Sequence, residues 1–269
     1  MPTISVNGVQ LYYEIHGPVN ADLLVLSNGI LMSTASWANQ VSLLSRFFRV
    51  LVYDCRGMWQ SEHPSGPYSM ETHADDLAGL LEELGYEKAH IAGISYGSEI
   101  SMMFALKYPE RTLSLFVADG VSEIDPLLQA QCETWVTAAQ RKDAHLLLQV
   151  TTPFNFSNQW IIKNPKILAA LEEKYKQLDF EAFLHLMDSF FGLNITHRLE
   201  EIRCPTMVLV GELDILKSRA YAERIARAIK DSEYLVIPNA AHAVCFEQPA
   251  AFNSALLGFI TKNQGEKKI

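Results

Sequence analysis

A chain of 269 residues has room for one large domain, or for a domain carrying an insertion, and can bury a full core. Its 49% hydrophobic and 20% charged residues are ordinary for a globular protein, and no apolar run is long enough to span a bilayer. A formal charge of −9, with no basic stripe to neutralise phosphates, argues against a nucleic-acid partner.

The chain opens on "TISVNGVQLYYEIHG", two alternating runs around Asn7-Gly8. Both turn residues tolerate positive φ, so the pair predicts a hairpin. "LLVLSNG" follows as a buried strand, "SWANQVSLLSRF" as an amphipathic helix and "RVLVYDCRG" as a further strand. "METHADDLAGLLEELG" predicts a helix closing on Gly85. "HIAGI" is a strand that breaks at Ser95, "SEISMMFALKY" a helix that begins almost at once, and "LSLFVADG" another strand. Helices alternating with nearly continuous apolar strands predict an α/β fold, a doubly wound and mostly parallel sheet covered on both faces, with an N-terminal antiparallel hairpin.

From about Val121 to Glu200 the rhythm stops. Only helical segments are visible, among them "PLLQAQCETWVTAAQRKD", "NPKILAALEEKYKQLD" and "FEAFLHLMDSFFG". Alternation resumes with "PTMVLVGE", the helix "SRAYAERIARAIK", the strand "EYLVIPN" and the helix "PAAFNSALLGFITK". The expected organisation is a core of residues 1–120 and 201–269 with a helical cap, residues 121–200, over one end of the sheet. The cap carries Trp135, Phe154, Phe156, Trp160, Phe183, Phe190 and Phe191. Aromatics at helical spacing are expected to be core more often than pocket wall.

Cys55, Cys132, Cys204 and Cys245 lie far apart, with neither a CxxC pair nor metal-ligand spacing, which fits reduced thiols in a cytoplasm. The N-terminus lacks a basic region followed by an apolar one, so the expectation is a soluble, cytoplasmic protein. The C-terminal "KNQGEKKI" reads as a frayed end rather than a binding arm.

In doubly wound sheets ligands gather outside the carboxyl ends of the strands, so the residues just after each strand carry the functional reading. Ser95 stands there in Gly93-Ile94-Ser95-Tyr96-Gly97. A sharp strand-to-helix turn strains its serine, and flanking glycines remove side chains that would clash with neighbouring backbone. Such a turn pushes Oγ clear of the sheet at a helix N-terminus, where the dipole favours negative charge. A serine hydroxyl is a poor nucleophile and needs a base oriented by a third group. "PTMVLVGELDILKS" places Asp214 just after a strand, and "YLVIPNAAHAVCFEQP" places His242 in the loop after the last one. Asp214 is the preferred acid, with Asp119 in "LFVADG" and Glu212 as rivals. An oxyanion needs backbone donors, expected at the N–H of Tyr96 and of Ile30, where Gly29 permits close approach.

With these residues in the order Ser95, Asp214, His242, the chain resembles the α/β-hydrolase superfamily over nearly its whole length. The matching stretches are "SNG", "YDCRGMWQS", "GISYG", "GELD" and "AAHAVCFEQPAAF". Within the superfamily, "LVLSNG" is similar to the loop of 3-oxoadipate enol-lactonase-like members, which carry Ser-Asn where most relatives have His-Gly. The resemblance implies oxyanion donors at Ile30 and Tyr96 and a helical cap that shapes an acyl pocket. Two positions depart from the family pattern. Trp59 stands where the second glycine of Asp-x-Arg-Gly-x-Gly is usual, and Ala241 where glycine often precedes the histidine.

The function expected from the sequence is a serine hydrolase, of carboxylesterase or lactonase type, acting on a small and largely apolar ester or lactone. The triad generates its own nucleophile, so no metal or organic cofactor is implied. Acyl transfer or lyase chemistry on the same scaffold, and a ligand receptor with little turnover, are the competing readings. No lysine or arginine is obviously aimed at a substrate carboxylate, though Arg56 and Lys217 are candidates. The partner expected is a small molecule, with neither nucleic acid nor membrane, and the protein is expected as monomer or homodimer.

Overall fold

The computed structural model describes residues 2–264. Most of the C-terminal tail, residues 265–269, lies outside the described residues. Strands β1 (Thr3–Val6) and β2 (Val9–His16) form the expected hairpin, with Val6 opposite Val9. Asn7 and Gly8 turn the chain at φ of 46° and 76°. Six further strands follow: β3 (Leu23–Ser27), β4 (Arg49–Tyr53), β5 (Ala89–Ile94), β6 (Thr112–Ala118), β7 (Thr206–Gly211) and β8 (Glu233–Ile237). They make one eight-stranded sheet in the order β1-β2-β4-β3-β5-β6-β7-β8. β2 joins β4 antiparallel, and every pairing from β4 to β8 is parallel.

The central strands are buried on both faces, and their residues divide by the two-residue period of the pleat. Val25, Leu51, Ile91, Leu115, Val117, Val208 and Val210 face one core, with Leu77 and Leu81 of helix α2 (Met70–Glu83) and Phe104 of helix α3 (Tyr96–Lys107). Leu24, Leu26, Val50, Val52, Phe116 and Leu209 face the other. There they meet Trp37, helix α1 (Ala38–Leu44) and the C-terminal helix, whose Phe252, Leu256 and Phe259 point inward. The predicted helix over residues 70–85 forms with a Ser69 N-cap, whose Oγ accepts from the Thr72 N–H at 3.1 Å, and ends at Gly85 with φ 78°. By contrast "SWANQVSLLSRF" is shorter than its pattern suggests: a 3₁₀ turn at Thr34–Trp37 precedes α1.

Between β6 and β7 the chain leaves the sheet for five helices: α4 (Pro126–Gln140), α5 (Ala144–Asn155), α6 (Asn158–Lys163), α7 (Pro165–Tyr175) and α8 (Phe180–Phe191). Asp125, Asp143 and Asp179 cap the starts of α4, α5 and α8, each accepting from a first-turn N–H at 2.8–3.1 Å. A single bridge, Glu123 to Asn194, closes the base of this excursion. The chain then returns through β7, α9 (Arg219–Ala228), β8, α10 (Val244–Glu247) and α11 (Pro249–Asn263). Among the described residues no helix is long and apolar enough to cross a membrane.

This topology fixes where the loops meet. From β3 the chain goes outward to β4, then returns to the opposite side of β3 for β5, so the connections diverge at the carboxyl ends of these two strands. Ser27 is level with Gly93 there, which sets the loop after β3 beside the turn after β5.

Candidate active site

β5 ends at Ile94 and α3 begins at Tyr96, leaving Ser95 alone at the turn with φ 53° and ψ −122°. Positive φ in a residue with a side chain costs on the order of 1–3 kcal/mol, so neighbouring structure must impose it. A side chain on Gly97 would lie 2.0 Å from the Ser27 carbonyl oxygen, and one on Gly93 2.1 Å from that of Gly97. Both glycines are therefore dictated by backbone pressed against backbone. The Ser95 N–H donates to the Ala118 carbonyl at 2.9 Å and anchors the turn to β6.

Ser95 Oγ lies 2.8 Å from His242 Nε2, and His242 Nδ1 lies 2.8 Å from Asp214 Oδ2. The other Asp214 oxygen accepts from the backbone N–H groups of Leu216 and Lys217 at 2.8 and 2.9 Å. A proton on Nδ1, facing the Asp214 oxygen, satisfies both hydrogen bonds and leaves Nε2 to accept from Ser95. Residues distant in sequence thus form one hydrogen-bonded line at the edge of a cavity. The His242 loop is pressed to the end of β7: a side chain on Gly211 would meet the Ala241 carbonyl at 2.3 Å. Ala241, despite departing from the family pattern, leaves that contact intact.

The rival acids stand differently. Glu212 accepts from the Asn239 N–H at 3.0 Å on the surface. Asp119, held at φ 48°, is fully buried, and its Oδ1 accepts from the Gly211 N–H at 2.8 Å. Burial, and then the Asp214 carboxylate beside it, push the Asp119 carboxyl well above the usual carboxylate range. Asp119, Asp214 and His242 bring ligand atoms within 4.8 Å of one another. His242 Nδ1 and both Asp214 oxygens are, however, already engaged in the hydrogen bonds above. Below this group, the buried Lys217 ammonium contacts both oxygens of the buried Glu99 at 2.9 Å.

The loop after β3 is held by its own polar residues. Asn28 donates to Asp54 at 3.0 Å and accepts from Trp37 Nε1 at 2.7 Å. Thr34 N–H also donates to Asp54, at 2.9 Å. Gln60 N–H donates to it as well, at 3.2 Å, yet burial outweighs all three donors and pushes Asp54 up to about 6. Gly29 follows, close enough that a side chain there would sit 3.6 Å from Ser95 Cβ. Ile30 comes next, and Ile30, Ser95 and Tyr96 line one small cavity together. As first residue of α3, Tyr96 has a backbone N–H with no acceptor inside its helix.

Residues 22–249 match the family described as alpha/beta hydrolase fold. The chain belongs to the α/β-hydrolase fold family. RutD of Caulobacter segnis, whose name is that of a carbamate hydrolase, is 30% identical over 267 residues, covering 97% of this chain and 99% of the relative. The 3-oxoadipate enol-lactonase 2 of Acinetobacter baylyi is 26% identical over 257 residues, covering 94% of each. Among solved structures, the enol-lactonase from Burkholderia xenovorans LB400 superposes with a TM-score of 0.91 at 28% identity, covering 97% of this chain and all of that one. The chain is thus a member of a hydrolase family with hydrolases among its relatives, and the likeness to enol-lactonases extends to the whole fold.

In this α/β hydrolase a cavity of about 130 Å³ opens beside Ser95 and His242. Trp135 of α4, Phe156, Trp160 of α6, Leu171 and Tyr175 of α7 and Phe246 of α10 form its walls. As expected, most of the seven aromatics of residues 121–200 are core: Trp135, Phe183 and Phe190 are buried in it, and Phe154 and Phe191 pack against it. Trp135, Phe156 and Trp160 also form wall of this cavity, and Phe190 of the smaller one. Helical spacing cannot separate the two because a helix roofing a cavity buries the same stripe as one packed on a core.

Neither cation named from the sequence is free for a ligand. Arg56 is committed to Asp76 at 2.5 and 2.7 Å, and Lys217 to Glu99. The cavity's cation is Lys174, which sequence reasoning missed. Its Nζ donates to Ser33 Oγ at 2.9 Å and lies 4.2 Å above the Trp59 ring. Trp59 adopts φ 39°, the conformation that glycine would supply elsewhere in the family, and uses its ring to seat that lysine. Burial holds Lys174 below the ordinary lysine range. The available signal was the departure at Trp59 itself, although nothing in the sequence joined it to a lysine in α7.

Proposed function

We propose that this hydrolase cleaves a small, largely apolar carboxylic ester or lactone through Ser95, His242 and Asp214. The observation that carries the proposal is the hydrogen-bonded line from Ser95 Oγ to His242 Nε2 and from Nδ1 to Asp214, each step 2.8 Å, at the wall of an apolar cavity. Ser95 Oγ adds to the substrate carbonyl carbon while its proton passes to His242 Nε2. Asp214 holds the ring in the tautomer that can receive the proton and stabilises the imidazolium. The carbonyl oxygen takes the negative charge against the N–H groups of Ile30 and Tyr96. As the tetrahedral adduct collapses, His242 returns the proton to the leaving oxygen, and the C–O bond breaks to leave a Ser95 ester. Water, deprotonated by the same histidine, then releases the acid.

Residues 121–200 act in this reading as a cap that roofs the substrate and keeps water from the larger cavity. The similarity to RutD supports a second substrate class, a carbamate, in which nitrogen replaces the acyl carbon next to the carbonyl. Treatment with a fluorophosphonate probe, followed by intact mass, tests the nucleophile. Stoichiometric labelling should be lost in Ser95→Ala and in His242→Ala. Labelling that persists in Ser95→Ala overturns the assignment. Competition by added alcohols or thiols then separates hydrolysis from acyl transfer, and multiple turnover separates an enzyme from a receptor.

A further inference from the structure

Ser95 stands between two compartments of unequal size, and their linings assign them to different halves of a substrate. Ile30, Ser95 and Trp135 belong to both. The larger, about 130 Å³, is lined on its far side by His242, Ala243, Phe246 and the aromatic walls. The smaller, about 10 Å³, is closed by Cys132, Met187, Phe190, Leu216 and Lys217. A cavity of about 10–15 Å³ holds one water-sized group, so the small compartment admits a methyl or amino group and little more. Its walls are not free to yield. Lys217 is fixed by both oxygens of Glu99 and lies 4.6 Å over the Phe190 ring, while Cys132 and Met187 are both nearly fully buried.

The chemistry decides which half goes where. The leaving oxygen must receive its proton from His242 Nε2, and His242 lines the large compartment but not the small one. The carbonyl oxygen must face the donors proposed at Ile30, which lines both compartments, and Tyr96, which lines the small one, so it sits at their junction beside Ser95. With oxygen and leaving group so placed, the remaining substituent on the carbonyl carbon is directed into the small compartment. We infer that the enzyme is selective for acetyl-sized acyl groups carried on bulky, apolar, ring-bearing alcohols, the small compartment holding the acyl chain and the large one the alcohol. Phe156 and Trp160, stacked at 4.2 Å and 8° apart in plane, offer the flat wall such an alcohol would lie against. This inference rests on the serine-esterase reading above and adds the substrate class to it.

The test is a set of four esters that vary the halves separately, with alcohols of matched leaving ability: propyl acetate, propyl hexanoate, 3-phenylpropyl acetate and 3-phenylpropyl hexanoate. At constant alcohol, kcat/KM should fall about 10- to 100-fold from acetate to hexanoate, as extra methylenes overfill a packed site. At constant acetyl it should rise by at least about 10-fold from propyl to 3-phenylpropyl as apolar surface is buried. Met187→Ala, which enlarges the small compartment, should narrow the acetate-to-hexanoate ratio in kcat/KM by about 10-fold, whatever it does to the absolute rate on acetate. If that variant does not fold, the wild-type series decides the matter. A preference for propyl hexanoate over 3-phenylpropyl acetate overturns the inference. If the protein takes the fluorophosphonate label but shows that reversed preference, only the compartment assignment fails. Absence of both labelling and ester turnover removes the esterase reading together with it.

Discussion

Two buried carboxylates approach His242, and the exchange of each for its amide separates their roles. Asp214 accepts from three N–H groups, one from the imidazole and two from the backbone. In Asp214→Asn the side-chain oxygen would stay with the Leu216 and Lys217 N–H groups, so the amide NH2 must face His242 Nδ1. That nitrogen then becomes an acceptor and the ring proton moves to Nε2, where it blocks transfer from Ser95. Loss of the productive tautomer is worth about 10⁴-fold in kcat, or about 5.5 kcal/mol of barrier. Asp119 is pushed toward its protonated form by burial and by Asp214. An amide matches that neutral carboxyl in shape, keeps an oxygen for the Gly211 N–H and still has hydrogen to offer Asp214. Asp119→Asn should therefore cost less than about 10-fold, the scale of a single neutral hydrogen bond.

The assay is kcat/KM on an acetate ester together with the rate of fluorophosphonate labelling. Circular dichroism and Tm would show that both variants keep the fold. Equal losses in the two variants would refute the division of roles. A loss of about 10³-fold or more in Asp119→Asn alone would transfer the acid's role to Asp119.

Three other outcomes follow from separate features. Burial, with Arg56 adding to it, holds His73 down to about 3, and its Nε2 meets Tyr96 OH at 2.8 Å. Its folded-state pKa lies below the unfolded value of about 6.5, so stability present above pH 6.5 is lost as pH falls toward 3, by about 2 kcal/mol at pH 5. Urea titrations at pH 7.5 and 5 should show that drop in the parent and a smaller one in His73→Gln; an unchanged slope refutes the titration. Gly97→Ala forces a methyl onto the Ser27 carbonyl, and should destabilise by about 1–3 kcal/mol while lowering kcat/KM more than stability requires. Unaltered kinetics in a folded Gly97→Ala protein would show that the turn can relax. Lys174→Met should cost about 10-fold in kcat/KM for esters whose alcohol half ends in a carboxylate and little for neutral ones. Equal effects on both would leave Lys174 as a packing residue only.

What the sequence discloses is what local chemistry dictates. Asn7-Gly8, Gly93, Gly97 and Gly85 each occupy a position where backbone geometry or close approach demands them, and each marks an element boundary that forms as read. The alternation of Leu24 and Leu26 against Val25 is equally local and places the sheet between two layers. Ser95, Asp214 and His242 were legible because each follows a strand end, and the topology gathers strand ends on one side. Lys174 was not legible. Its partners Ser33 and Trp59 lie more than a hundred residues away, on loops whose path depends on the whole sheet. The inward turn of Trp135, Phe156 and Trp160 was hidden for a related reason, since the pattern of a helix records that one face is covered, not by what.

The charges beneath the site give the arrangement its sense. Four ionisable residues, Glu99, Asp119, Asp214 and Lys217, are buried around His242. If every carboxylate among them were ionised, one lysine would face three negative charges in a medium that solvates none of them well. The geometry resolves the excess in two ways. Lys217 and Glu99 form a doubly contacted pair that contributes little net charge, and Asp119 is pushed toward its neutral form. That leaves the carboxylate in line with His242 Nδ1 as the group that, in the proposed mechanism, would stabilise an imidazolium as Ser95 gives up its proton. Removing the Lys217 charge by Lys217→Met should leave Glu99 buried and unpaired and upset the charge balance beside Asp214 and His242. The expected signature is a fall in kcat accompanied by a shifted pH profile, whereas a lysine that only fills space would change stability and leave the profile where it was.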